Sequence, residues 1–179
     1  MQGVSRYAVQ LMAHDPSWER EFLEVKEMLY NVFPGQLLDV QWVGSTAIPA
    51  ICAKPVLDVA VRFSAIGELD AKALTDKGYD YCGSRPDDEN RHLFVLRRRD
   101  EASGEEISLQ HIHCYGPDNP GFNQLVGFRD YLNSHPEEAA AYEGLKRSLA
   151  VAHPDDRASY TKGKAAFIQS IFQKMEEKS

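Results

Sequence analysis

Val43-Gly44-Ser45-Thr46 is the first stretch of the chain whose residue types point to chemistry. A glycine followed by two hydroxyl residues forms a turn whose backbone N–H groups can approach an anion closely. No Cβ stands in the way, and Ser45 and Thr46 add donors of their own. Twelve residues, 46 to 57, separate Ser45 from Asp58, and Lys54 stands before Pro55, where an ammonium either meets phosphate or faces solvent. Phosphoryl chemistry needs a phosphate cradle beside carboxylates that hold Mg²⁺. A tight turn and a buried, hydrogen-bonded aspartate would leave the same letters. His111 and His113 are the other pair of interest: two apart on an expected strand, they project both rings to one face. With Asp58 they would form a metal or phosphate site, and imidazole would shift the preferred ion from Mg²⁺ or Mn²⁺ towards Zn²⁺. The plainer alternative is two histidines hydrogen-bonded in a cleft.

These residues need elements to position them. A helix is expected from about Asp15, with Asp15 as cap, Pro16 in the first turn, and Trp18, Phe22, Val25, Leu29 and Val32 on one stripe. Pro34-Gly35 ends it. Leu37 to Val43 reads as a strand with Leu38, Val40 and Trp42 on one face and Asp39 and Gln41 on the other. A second strand, Val56 to Phe63, carries Asp58, and a helix from about Ile66 to Lys77 follows, stopped by Gly78. His92 to Arg98 and Ile107 to Tyr115 read as a β-hairpin that extends a mixed sheet. The remainder is helical: Gly121 to Asn133, then a helix opened by Ser134, Pro136 and Glu137 at capping-box spacing, with Tyr142, Leu145, Leu149 and Ala152 as its stripe. A last helix after Asp155-Asp156 buries Tyr160, Phe167, Ile168, Ile171 and Met175. The expected class is α/β (α+β), a small mixed sheet with a helical C-terminal third, forming one domain over residues 1–179.

A net charge of −7 argues against a general nucleic-acid-binding face, which needs a basic surface. It leaves room for a local basic pocket. Arg129, Lys146 and Lys164, on three C-terminal helices, would supply one if those helices close over the cleft; solvated helix faces explain each of them singly. Arg97-Arg98-Arg99 reads as a solvated hairpin end, offset by Glu101, Glu105 and Glu106. Cys114 neighbours His113 but points to the opposite face, so the pair does not make an activated thiol. Three scattered cysteines suit a reducing compartment, and neither a signal peptide nor a stretch near the roughly 20 apolar residues of a membrane helix is present. The expected address is the cytoplasm, and the expected state a monomer or loose dimer.

The order strand, Gly-Ser turn, strand with Asp is similar to the polymerase-β-type nucleotidyltransferases. The longer string from Val43 to Val59 closely resembles the signature of the GrpB family. The resemblance continues at His111-Ile112-His113, at Phe128 to Leu132 with His135-Pro136, at Tyr142 with Leu145-Lys146, and at Tyr160, Lys164 and Phe167-Ile168. It implies a nucleotidyltransferase-like fold and kinship with the domain fused to dephospho-coenzyme A kinase in some bacteria. A competent nucleotidyltransferase carries a second acidic residue two positions after the first; here that position is Ala60, and Ala50 stands where the family more often has Gly. The function this implies is a domain that binds a nucleotide or phosphorylated small molecule, with divalent-metal-dependent transfer of a nucleotidyl group as its catalytic form. Gly44, Ser45 and Thr46 would cradle phosphate, Asp58 would hold the metal, and Lys54, Arg129, Lys146 and Lys164 would offset charge. The alternative is a non-catalytic accessory module that acts through a protein partner.

Overall fold

The computed structural model describes residues 3–5, 8–85 and 88–177. In chain order these form strand β1 (Val4–Ser5), helix α1 (Ser17–Val32), β2 (Leu37–Val43), β3 (Leu57–Phe63), α2 (Ala71–Thr75), β4 (Tyr79–Arg85), β5 (Asp88–Arg99), β6 (Glu106–Tyr115), α3 (Pro120–Ser134), α4 (Pro136–Ala152), α5 (Arg157–Gly163) and α6 (Ala165–Glu176). The strands build one mixed sheet in the order β2-β3-β6-β5-β4, with β1 also paired to β6. Only β3 and β6 run parallel among the described pairs. None of the described helices is long and apolar enough to cross a membrane.

Strand parity divides the sheet into two faces. Leu57, Val59, Val61 and Phe63 of β3, Phe94 of β5, and Ile112 and Cys114 of β6 face α1 and α2. There they bury Val25, Leu29, Phe33 and Leu74. The opposite parity, Asp58, Ala60 and Arg62 of β3 with His111, His113 and Tyr115 of β6, faces the C-terminal helices. Phe122 of α3 packs there with Val43, Ala60 and Tyr115. A third cluster joins α3, α4 and α6 to the loop after β2 through Ile48, Ile51, Phe128, Leu132, Tyr142 and Ile171.

Most elements lie where the apolar periodicity predicts them, and the departures have local causes. Asp15 caps α1 by accepting from Ser17 N–H at 2.8 Å. Leu38, expected on the core face of β2, is 57% exposed, because a register shift between Leu37 and Asp39 inserts an extra residue and breaks the alternation. The helix expected over 66–77 is a 3₁₀ turn, Ile66–Glu68, then the short α2, restarted by Asp70 capping Lys72 N–H. Strand β4 pairs antiparallel with β5 at the sheet edge, and its Asp80, Gly83 and Ser84 hide it from a strand pattern. Ser134 does not open α4. It lies in the last turn of α3, where its hydroxyl donates back to the Asp130 and Tyr131 carbonyls. The last helix is two, α5 and α6, meeting at Lys164. Arg97 pairs with Asp80 across β4–β5 rather than with the glutamates of the hairpin turn.

The contrast between two leucines tests this core. Leu29→Ala, at a fully buried site, is expected to cost about 2–5 kcal/mol in urea unfolding. Leu38→Ala, at the exposed bulge, should stay within about 0.5 kcal/mol of the parent. Equal losses would mean that β2 is paired in another register.

Candidate functional site

The parallel pairing of β3 with β6 sets Asp58 opposite His111 and Ala60 opposite His113. Both imidazoles turn to the same carboxylate oxygen: His111 Nδ1 lies 3.0 Å and His113 Nε2 3.3 Å from Asp58 Oδ1. The three side chains are largely withdrawn from solvent, with 29% of Asp58, 14% of His111 and 16% of His113 exposed. Burial would raise the Asp58 carboxyl, but its hydrogen bonds with the two histidines, and their charge, outweigh burial and hold it well below the usual carboxylate range. For His113 burial dominates and lowers its proton affinity, against the opposing pull of Asp58.

The Gly44 turn fits against this cluster. Gly44 has φ 73° and ψ −173°, a region open essentially only to glycine. A Cβ built there would lie 2.6 Å from Asp58 Oδ2. The glycine is therefore required by the close approach of turn and carboxylate, not only by a ligand. A 3₁₀ turn over Ser45–Ala47 follows. Thr46 is buried and its hydroxyl accepts from the Trp42 indole N–H at 3.0 Å, so it braces the turn from behind. Asn133 of α3 donates to the Ala47 carbonyl at 3.3 Å and ties the helix to the same turn.

A cleft of about 380 Å³ opens in front of Asp58, within the roughly 300–1,000 Å³ of small-molecule sites. Of the sequence-predicted residues, Gly44, Ser45, Thr46, Lys54, Asp58, His111, His113 and Lys164 line it. Lys54 Nζ sits 5.3 Å and Lys164 Nζ 4.7 Å from the centroid of the Tyr160 ring. Burial, then the charges of Arg157 and Lys164, depress Lys54 to about 7, while Asp58 pulls it back up. Lys164 is lowered too, chiefly by burial, with Asp58 again opposing.

Arg129 and Lys146 are not in the lining. Arg129 donates to the Trp42 carbonyl at 2.6 Å and to Gln41 Oε1 at 3.0 Å, pinning α3 to β2. Lys146 is 1% exposed and donates to the Cys52 carbonyl, pinning α4 to the loop before Lys54. Tyr142, Arg157 and Tyr160 do line the cleft; sequence reasoning placed the two tyrosines in helix stripes and in the family resemblance without a site role, and passed over Arg157. Their place in the family motif was the available signal for the tyrosines; Arg157 had none. Ala60, where a second carboxylate would stand, is fully buried with Tyr115 and Phe122.

A family model described as GrpB protein matches residues 8–174. The chain is 33% identical over 178 residues to "Glutamate-rich protein GrpB" of Alkalihalophilus pseudofirmus, covering 98% of this chain and 100% of that one. It is 23% identical over 190 residues to a dephospho-CoA kinase of Mycolicibacterium paratuberculosis, covering 96% of this chain but 47% of the kinase. Among solved structures, the crystal structure of conserved protein GrpB from Enterococcus faecalis superposes with a TM-score of 0.80 at 29% identity, over 94% of this chain and 98% of that one. The Cid1 poly(U) polymerase, in a crystal structure bound to MgATP, superposes with a TM-score of 0.51 at 10% identity, over 78% of this chain and 44% of Cid1. That likeness identifies the fold as nucleotidyltransferase-like.

Two results are expected from the site's geometry. Gly35 has φ 72° with nothing near its absent Cβ, whereas Gly44 combines a positive φ with the Asp58 contact. Gly35→Ala should therefore cost about 1–2 kcal/mol and Gly44→Ala clearly more, measured by denaturant unfolding; equal costs would mean that turn and carboxylate are further apart. The second concerns Lys54, which faces Arg157, Lys164, Asp58 and the Tyr160 ring. Folding lowers its pKa from 10.5 to about 7. Between these values the unfolded chain holds a proton that the folded chain has released, so this group makes stability rise with pH from about 7 to about 10.5; below 7 its burial penalty is full. Lys54→Met should flatten that slope, and parallel stability–pH curves for the two proteins would contradict it.

Proposed function

This chain belongs to the GrpB protein family, and from that membership we propose that its cleft binds a nucleotide or another phosphorylated small molecule, with a divalent cation between Asp58, His111 and His113. The observation that carries this reading is the charge of the cleft. In a chain of net charge −7, the lining gathers Lys54, Arg157 and Lys164 on one side. Asp58 is the one carboxylate among the described lining residues, and it already faces two imidazoles. Two lysines whose proton affinity is depressed by burial and by neighbouring positive charge, Arg157 for both and Lys164 also for Lys54, hold an unfavourable arrangement that an incoming anion relieves. The Gly44-Ser45-Thr46 turn, which lines the same cleft, would supply backbone donors and the Ser45 hydroxyl. Aromatic and apolar side chains, Leu125, Phe128, Tyr142, Ile168 and Phe172, complete the lining and suit the non-phosphate part of such a ligand.

In this reading Lys54 and Lys164 neutralise phosphate directly, while Arg129 and Lys146 act at a distance by holding α3 and α4 in place. The cation would supply positive charge to phosphate oxygens. In a transferring version, Ser45 and Asp58 are the residues closest to the chemistry. One observation favours a second reading, a non-catalytic module: the strand position two beyond Asp58 is a methyl group packed under Phe122. The dephospho-CoA kinase relative, of which this chain matches about half, fits an accessory role equally well. Label transfer from a nucleotide panel separates the two, since only the catalytic version turns over.

The test is calorimetric titration with ATP, CTP, GTP, UTP and coenzyme A precursors, with and without Mn²⁺. Binding should be strengthened by the ion and lost in Asp58→Asn. Lys164→Ala should weaken it by roughly 10- to 100-fold, the worth of one charge-assisted hydrogen bond. At pH 8 binding should take up a proton, because a phosphate beside Lys54 raises a pKa that starts at about 7; heats compared across buffers of different ionisation enthalpy report that uptake. A folded protein that binds none of these ligands overturns the proposal.

A further inference from the structure

We infer that Asp58, His111 and His113 form a site for a single first-row transition-metal ion of the zinc class rather than for Mg²⁺, with its open coordination position turned into the cleft. The inference deepens the cation position of the preceding reading and rests on that part of it. Its first support is geometric. The donor atoms of the three residues all lie within 4.8 Å of one another. The two nitrogen–oxygen separations are 3.0 and 3.3 Å. An ion roughly 2.0–2.2 Å from each of three tetrahedral donors sets those donors roughly 3.3 Å apart, so the two edges that meet at Asp58 Oδ1 are already close to the required length. Both rings address Oδ1, while Oδ2 is the carboxylate atom nearest the position of the missing Gly44 Cβ. The carboxylate thus presents one oxygen to a point that both imidazoles share.

The donor set then selects the ion. Mg²⁺ demands near-octahedral oxygen coordination and is held through carboxylates and water. Here two of three donors are imidazole nitrogens, and the strand position that would add a carboxylate is Ala60, sealed by Tyr115 and Phe122. Two histidines with one carboxylate favour zinc, iron or cobalt. The scaffold is rigid, because the donors stand on adjacent, directly paired strands rather than on loops. Three protein ligands leave a fourth position, as in catalytic zinc sites. Lys54, Arg157 and Lys164 line the cleft into which these three ligands also open. The natural occupant of the fourth position is an anionic oxygen, which metal and cations stabilise together.

The deciding experiment uses the full chain, stripped with chelator and titrated with Zn²⁺, Co²⁺ and Mg²⁺ in the absence of nucleotide. The expected result is one Zn²⁺ or Co²⁺ per chain, visible Co²⁺ bands of tetrahedral intensity, and no competition from Mg²⁺ in about 100-fold excess. His111→Ala with His113→Ala should cost more than the roughly 10- to 100-fold that loss of an outer partner costs; His153→Ala should cost nothing. Should the double variant fail to fold, the parent still decides the matter, because bound Co²⁺ must shift two imidazole NMR signals strongly. Folded parent protein that takes up neither Zn²⁺ nor Co²⁺, or that binds Mg²⁺ as tightly, overturns the inference, as does undiminished Zn²⁺ binding in the double variant. Later nucleotide titration keeps the two readings apart. Stoichiometric Zn²⁺ with no nucleotide binding supports this inference and sinks the phosphate reading. Nucleotide binding with Mg²⁺ alone, by protein that ignores Zn²⁺, overturns this inference and leaves the phosphate reading standing.

Discussion

A carboxylate flanked by two imidazoles on the two parallel strands is the constraint to which the rest of the molecule conforms. Asp58 and the histidines are 53 and 55 residues apart in the chain, and only the register of β3 against β6 brings them together. A slip of one residue would turn either set of side chains to the α1 face. Parallel neighbours cannot be joined by a tight turn. The chain therefore leaves β3, runs through α2 and the β4–β5 hairpin, and returns as β6 between β3 and β5. The alternate residues of both strands, Val59, Val61, Ile112 and Cys114, are buried against α1 and α2 and make the register costly to change. The Gly44 turn is the other half of the constraint, since it lies so close to Asp58 that no side chain fits between them.

The cations of the C-terminal third divide into two kinds of work. Arg129 and Lys146 give their donors to backbone carbonyls of Trp42 and Cys52, the segments on either side of the Gly44 turn. Each satisfies an acceptor at the junction of sheet and helix, and each fixes one wall of the cleft. Lys54 and Lys164 instead lie over Tyr160 and line the cleft together with Arg157 and Asp58. Burial weakens their hold on protons, and among the described lining residues Asp58 is the one carboxylate that opposes it. An acidic protein thereby keeps a small basic recess whose sign is opposite to that of its surface.

The legible part of this arrangement was the part written in local periodicity. The near-continuous apolar run of β3, interrupted at Asp58 and Arg62, announces a strand buried on both faces with a polar residue aimed at something. The His111-x-His113 spacing likewise sets two rings on one face. What was not legible depends on contacts 87 to 94 residues apart. Nothing in the letters around Arg129 or Lys146 distinguishes a side chain that reaches a carbonyl from one that reaches a ligand. Leu38 misled because a bulge is a property of the strand pair, not of one strand. Arg157 opens a short helix with no stripe of its own, so its place in the lining emerges only when α5 packs.

Ala60 and His113 are best understood together. They are direct partners across β3 and β6, and on that face the space above Ala60 is filled by Phe122 and Tyr115. A carboxylate at 60 would push against those rings and would lie next to an imidazole already turned to Asp58. The methyl group lets α3 settle onto the sheet, and α3 carries Arg129 and Asn133, the two side chains that hold the Gly44 turn from that side. Loss of the second carboxylate and closure of the cleft wall are thus one packing solution. The floor of the cleft therefore presents one carboxylate and two imidazoles in place of a pair of carboxylates.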